Sequence, residues 1–160
     1  MAKALLIIAE QGYQDQELQD TKQALENGGI VVTIAAKNKG ICRGKLGGTV
    51  QAMFSLSDIS VDRYDGIIFI GGPGATIYVK DSAALRIARD AHAKRKVIGA
   101  ICIAPIILAA AGVLKDRLAT VWNEDGAQEA ILSKSGAKYT GEAVTVDGFC
   151  VTANGPAAAT

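Results

Sequence analysis

Residues 99–114 read GAICIAPIILAAAGVL. The stretch begins as an apolar run suited to a buried strand and becomes an apolar helix pattern with no linker between them. Cys102 stands at the join, with Pro105 just behind it and Gly112 placed to close the helix. A strand that passes directly into a helix is the signature of an α/β fold. A side chain on that tight turn is pushed out of the core and into a cleft. Backbone N–H groups at the helix start would favour negative charge there and so lower the pKa of a thiol. Cysteine in an apolar run is usually just a small buried hydrophobe, and periodicity alone does not separate the two readings.

Working outward, apolar runs alternate with amphipathic stretches. KALLIIA (3–9), IVVTIAA (30–36), DGIIFIGG (65–72) and KVIGAIC (96–102) predict four buried strands. Between and after them, DQELQDTKQALENGG (15–29) predicts a helix with Leu18, Thr21 and Leu25 on one face. SAALRIARDAHAKR (82–95) predicts a second helix capped by Ser82, and APIILAAAGVL (104–114) a third. GICRGKLGGTVQAMFSLSDI (40–59) reads as a hairpin on a sheet edge. ATVWN (119–123) reads as a short strand, EDGAQEAILSKSG (124–136) as a helix, and EAVTVDGFCVTAN (142–154) as a hairpin turning at Asp147-Gly148. The alternation predicts a parallel sheet covered on both faces, with any ligand at the carboxyl ends of its strands. Three features fall at such ends: AEQGYQDQE (9–17), GGPGA (71–75) and Cys102.

Composition narrows the function. The 160 residues carry a formal net charge of +1, which gives no basic footprint for nucleic acid or for a membrane surface. Three cysteines at wide spacing form neither a disulfide framework nor a zinc pattern. The apolar run at residues 4–9 is short for a signal peptide, and residues 97–114 are interrupted by Pro105. The expectation is one cytoplasmic domain with reduced thiols, no metal and no cofactor. Cys42 and Cys150 read as structural thiols.

Specific words decide what periodicity leaves open. AICIAPIILAAAGVLKDRLATVW (100–122) resembles the nucleophile-elbow segment of the ThiJ/PfpI superfamily, which includes PfpI-type intracellular proteases and the parkinsonism-associated deglycase. The likeness runs in order along nearly the whole chain. Residues 4–36 resemble the first strand, acidic loop, helix and second strand of that superfamily. YDGIIFIGGPGA (64–75) resembles its glycine loop, and VTVDGFCVTANGPAAAT (144–160) its closing hairpin. The resemblance implies a flavodoxin-like three-layer α/β sandwich with a mostly parallel sheet, and a homo-oligomer, dimer or higher. It implies that Cys102 is the reactive cysteine and Glu17 its protonated carboxyl partner. Gly72 and the backbone of Ile103 fall on the oxyanion-hole donors, and Trp122 falls near the cleft rim.

Three departures qualify it. Ile103 stands where the PfpI-type proteases carry histidine, and the one histidine, His92, is placed at the opposite end of the sheet. Gln14 stands where many relatives have an acid. Residues 154–160 read NGPAAAT where relatives continue into a last helix; a single domain over 1–160 is expected, and either that helix is absent or the sequence runs on beyond Thr160. Amide hydrolysis needs a proton for its leaving amine, whereas addition of a thiol to an aldehyde expels nothing. The favoured function is therefore a cysteine-dependent activity on small reactive carbonyls, of glyoxalase or deglycase type. A redox-sensing or chaperone-like role for Cys102 is the alternative, and protease or amidase activity comes third.

Overall fold

A computed structural model describes residues 1–160. In chain order the elements are β1 (Lys3–Ile7), β2 (Gln11–Tyr13), α1 (Asp15–Asn27), β3 (Val31–Ala36), β4 (Gly40–Gly44), β5 (Thr49–Ala52), β6 (Phe54–Ser55) and β7 (Gly66–Phe69). Then come α2 (Ser82–Ala93), β8 (Val97–Ile101), α3 (Pro105–Ala111), β9 (Leu118–Ala119), α4 (Ala127–Lys134), β10 (Lys138–Tyr139), β11 (Val144–Asp147) and β12 (Cys150–Ala153). Seven strands form the central sheet in the order β11-β12-β8-β7-β1-β3-β6. Every neighbouring pair is parallel except the hairpin β11–β12.

The apolar runs explain the layering. Successive residues of a strand face opposite sides. Leu5 and Ile7 of β1 join Ile67, Phe69 and Ile98 against α2 and α3. Leu6 and the following Ile8 join Leu18 of α1 and Ile34 of β3 on the other face. Both faces are covered, so the strands read as continuous hydrophobic runs rather than as an alternation. This is the expected α/β sandwich with its mostly parallel sheet.

Local details differ from the sequence reading in three places. Ser82 is not the cap of α2. The preceding Asp81 is, with its carboxylate accepting from the Ala84 N–H at 3.0 Å. The 40–59 region is a hairpin, but it does not extend the main sheet. β4 pairs with β5 on one side and β2 on the other in a separate three-stranded sheet, and only Phe54–Ser55 reaches the main sheet edge. Within 119–123 the strand stops early, because the Thr120 N–H bonds to Thr152 Oγ1 and the Trp122 N–H to the Cys102 carbonyl. That diversion lays the segment over the end of β8.

Candidate active site

The chain turns from β8 into α3 at Cys102, whose φ is +63°. That left-handed conformation is rare for a residue with a side chain and persists only when its surroundings impose it. Here the Cys102 N–H donates to the Ala153 carbonyl at 2.9 Å, and its own carbonyl accepts from the Trp122 N–H at 2.8 Å. One neighbouring strand and one crossing segment thus fix the peptide on both sides. The thiol is left half-buried, in a cleft of about 520 Å³ also lined by Glu17, Gly72, Ile103 and Trp122.

Glu17 enters from the first turn of α1 and is 0 % exposed. The side chain of Gln14 caps this helix by accepting from the Glu17 N–H at 2.9 Å. Gln14 is therefore part of what positions the carboxyl. Glu17 Oε1 accepts from the Gly71 N–H at 3.0 Å, while Oε2 is buried with no hydrogen-bond partner. Gly71 in turn accepts from the Gln14 N–H at 2.9 Å. A Cβ at Gly71 would come within 2.7 Å of Cys102 Cβ, of Glu17 Oε1 and of the Ile101 carbonyl. Only glycine lets the loop after β7 wedge between the acid and the thiol. Gly72 follows with φ +106°, a second position closed to ordinary side chains.

Burial pushes the Glu17 carboxyl up to about 7, although the Gly71 N–H, the Cys102 thiol and the charge of Lys45 all pull it down. The thiol is pushed up to about 12, first by burial and then by the negative charge of Glu17; the backbone N–H groups of Ile103 and Gly72 oppose this. Those two N–H groups favour the thiolate. They do not lower the thiol pKa overall, because burial and an ionised neighbour outweigh them. The two groups are close enough for each to set the other's protonation, so they titrate as a pair.

The structure brings together Cys102, Glu17, Gly72, Ile103 and Trp122. His92 is exposed at the C-terminal end of α2, beside the start of β8, and no imidazole lines the cleft. Cys42 and Cys150 are buried and unpaired. No group of three or more His, Cys, Asp or Glu side chains is arranged to hold a metal ion. Lys45 is among the cleft residues that sequence reasoning missed, with Thr76, Glu124, Asp125 and Gln128. It is carried on the turn between β4 and β5, which Asp15 clasps by accepting from the Leu46 N–H at 2.9 Å and the Gly48 N–H at 2.8 Å. The only signal was an acid beside Gln14 and a glycine-rich turn 30 residues on, and no spacing rule connects them.

Residues 2–160 match the DJ-1/PfpI family. An uncharacterized protein of Methanocaldococcus jannaschii is 36% identical over 97% of this chain and 76% of its own length. The protein named deglycase TK1284, from Thermococcus kodakarensis, is 30% identical over 95% of this chain and 90% of its own. The crystal structure of a ThiJ/PfpI domain protein from Brachyspira murdochii superposes with a TM-score of 0.93 at 27% identity, covering 98% of this chain and 89% of that one. An elbow cysteine facing a buried glutamate across a glycine loop thus sits in a chain whose whole length aligns with these proteins, and the chain belongs to the DJ-1/PfpI family.

Proposed function

We propose that the protein is a cysteine-dependent enzyme acting on small reactive carbonyls, of glyoxalase or deglycase type. The observation that carries this reading is the pairing of an elbow thiol with a buried carboxyl whose second oxygen is unsatisfied, in a cleft without an imidazole. Relatives named deglycase, and a Caenorhabditis elegans relative named glutathione-independent glyoxalase, support it.

The chemistry follows from where the proton sits. With the proton on Glu17, its charge no longer repels the sulfur, and the Gly72 and Ile103 N–H groups favour the thiolate. The thiolate adds to an aldehyde carbon. A C–S bond forms, the carbonyl π pair moves to oxygen, and that oxygen takes the Glu17 proton to become a hemithioacetal hydroxyl. With methylglyoxal, the Glu17 carboxylate then removes the C1 hydrogen as a proton, and the electron pair moves to the C2 oxygen to give an enediolate. Glu17 returns that proton to C2, the C1 hydroxyl proton passes to the C2 oxygen, and water cleaves the resulting thioester to lactate and the thiol. A carboxyl pushed up to about 7 suits a group that must both give and take a proton near neutrality.

Peptide hydrolysis would need an acid placed at a departing amine, and Ile103 offers none. The protein also assembles as a homo-oligomer in this reading. The test is lactate production from methylglyoxal by wild type and Cys102→Ser. Turnover that vanishes in the variant supports the proposal. Absence of turnover in the wild type, with Cys102 instead consumed by peroxide to a sulfinic acid, would replace it with the redox-sensing reading.

A further inference from the structure

The four α-helices end in the same way. The chain turns through a left-handed residue, and the N–H after it bonds back to a carbonyl of the last turn. In three of them the left-handed residue is glycine: Gly29 after α1, Gly112 after α3 and Gly136 after α4. After α2 it is Arg95, with φ +56°, its N–H on the His92 carbonyl and the Lys96 N–H on the Ala91 carbonyl. The other non-glycine residues with left-handed φ are accounted for. Cys102 is the elbow, and Asp116 is of a type that tolerates this conformation. Glycine would hold the turn after α2 at less cost, so the backbone conformation itself gives no reason for an arginine here.

Arg95 lines a pocket of about 440 Å³ together with His92, Lys96, Arg117 and Phe149. Three connections meet there, at the amino ends of the strands: α2 to β8, α3 to β9 and β11 to β12. The length of β8 separates this pocket from Cys102. Its cations are incompletely neutralised. Arg117 donates to the Asp147 carbonyl at 3.2 Å and lies 3.8 Å from its carboxylate, while Asp62 is taken by Lys94 at 2.7 Å. Arg95 and Lys96 take part in no ion pair. Phe149 adds an aromatic surface that is 48 % exposed.

We infer that this pocket binds a small organic phosphate carrying a planar ring, a nucleoside phosphate in chemical class. Arg95, Lys96 and Arg117 supply the charge, the two guanidinium groups supply N–H forks for phosphate oxygens, and Phe149 supplies a face for the ring. The volume lies within the range of small-ligand sites. A single-stranded nucleic acid offers the same two groups, but the net charge of +1 gives no extended basic track for a backbone.

The test is titration of the isotope-labelled full chain with ADP, with pyrophosphate and with a short single-stranded oligonucleotide. ADP should shift the amide signals of Arg95, Lys96 and Phe149 and leave Gly71 and Gly72 unmoved. Arg95→Gly should weaken ADP about tenfold or more while the melting temperature holds or rises and methylglyoxal turnover is unchanged. Phe149→Ala should weaken ADP but not pyrophosphate. No ADP binding, ADP shifts gathered around Cys102, or an Arg95→Gly variant with undiminished affinity would each overturn the site. An oligonucleotide that binds more tightly than ADP would overturn the small-ligand assignment. Equal loss of ADP and pyrophosphate in Phe149→Ala would overturn the ring contact.

Discussion

Strand β8 is entered through Arg95 and left through Cys102, and both hold left-handed backbone, with φ of +56° and +63°. Each conformation costs about 1–2 kcal/mol for a residue with a Cβ. The two are held very differently. Cys102 is fixed by hydrogen bonds to Ala153 and Trp122, which come from other parts of the chain, and Gly71 leaves no free space beside it. Arg95 is held only by the last turn of its own helix. The strain at the elbow is thus built into the tertiary structure, while the strain before β8 is local and could be relieved by one substitution. The difference shows which end of the sheet spends stability on geometry and which spends it on a side chain.

The sharpest way to break the comparison is at Glu17, which gives the elbow its chemistry. Glu17→Gln keeps the shape and removes the exchangeable proton. Carbonyl turnover should fall about a hundredfold to ten-thousandfold, the usual weight of general acid–base catalysis. The same variant removes the negative charge that raises the thiol, so thiolate absorbance should appear at lower pH than in the wild type's alkaline step. Lower activity with a more easily ionised sulfur would separate proton transfer from nucleophile activation. An unchanged titration curve would mean that Glu17 does not govern the sulfur.

Gly71→Ala tests whether the elbow is over-determined. The new methyl would meet Cys102 Cβ, Glu17 Oε1 and the Ile101 carbonyl, all at 2.7 Å. A loss of about 1–3 kcal/mol in urea unfolding is expected, the usual range for an overpacked site, together with loss of turnover. Full stability with full activity would show that the cradle gives way easily.

The pH dependence of stability follows from the same carboxyl. Its ordinary value is 4.5 and its folded value is about 7, so within that window the native state holds a proton that the unfolded chain has lost. Stability from this group is therefore complete below the window and falls as pH rises through it, by roughly 3 kcal/mol. Unfolding at about pH 5 and about pH 8 should show this slope in the wild type and not in Glu17→Gln. A wild-type slope of the opposite sign would place other groups in control.

The smallest effect belongs to the other end of the strand. Arg95→Gly should gain up to about 1 kcal/mol, because relief of the left-handed strain exceeds the added freedom of the unfolded chain. A loss of stability would mean that the arginine makes packing contacts worth more than the strain.

Most of the fold was legible because parallel strands buried on both faces appear as unbroken apolar runs, and because glycines mark three of the four helix ends. The fourth end carries Arg95, which looks like any basic residue in HAKRK (92–96). The sequence places the cap of α2 one residue late, at Ser82, because Asp81 and Ser82 are both good caps and only geometry chooses between them. Glu17 and Cys102 could be paired through family resemblance, since nothing local joins residues 85 apart in the chain. Lys45 stayed hidden because a clasp between Asp15 and a distant turn brings it to the cleft. The sign of the thiol shift was unreadable as well, since it depends on burial that the sequence does not display.

The bond from the Gly71 N–H to Glu17 Oε1 has a consequence for isotope exchange. A carboxylate accepts a hydrogen bond more strongly than a neutral acid does. As Glu17 ionises, the Gly71 amide is held more firmly, whereas intrinsic amide exchange accelerates with rising pH. This one backbone hydrogen therefore keeps a record of the carboxyl's charge, and its protection factor reads the protonation state of a buried acid that no substrate has to visit.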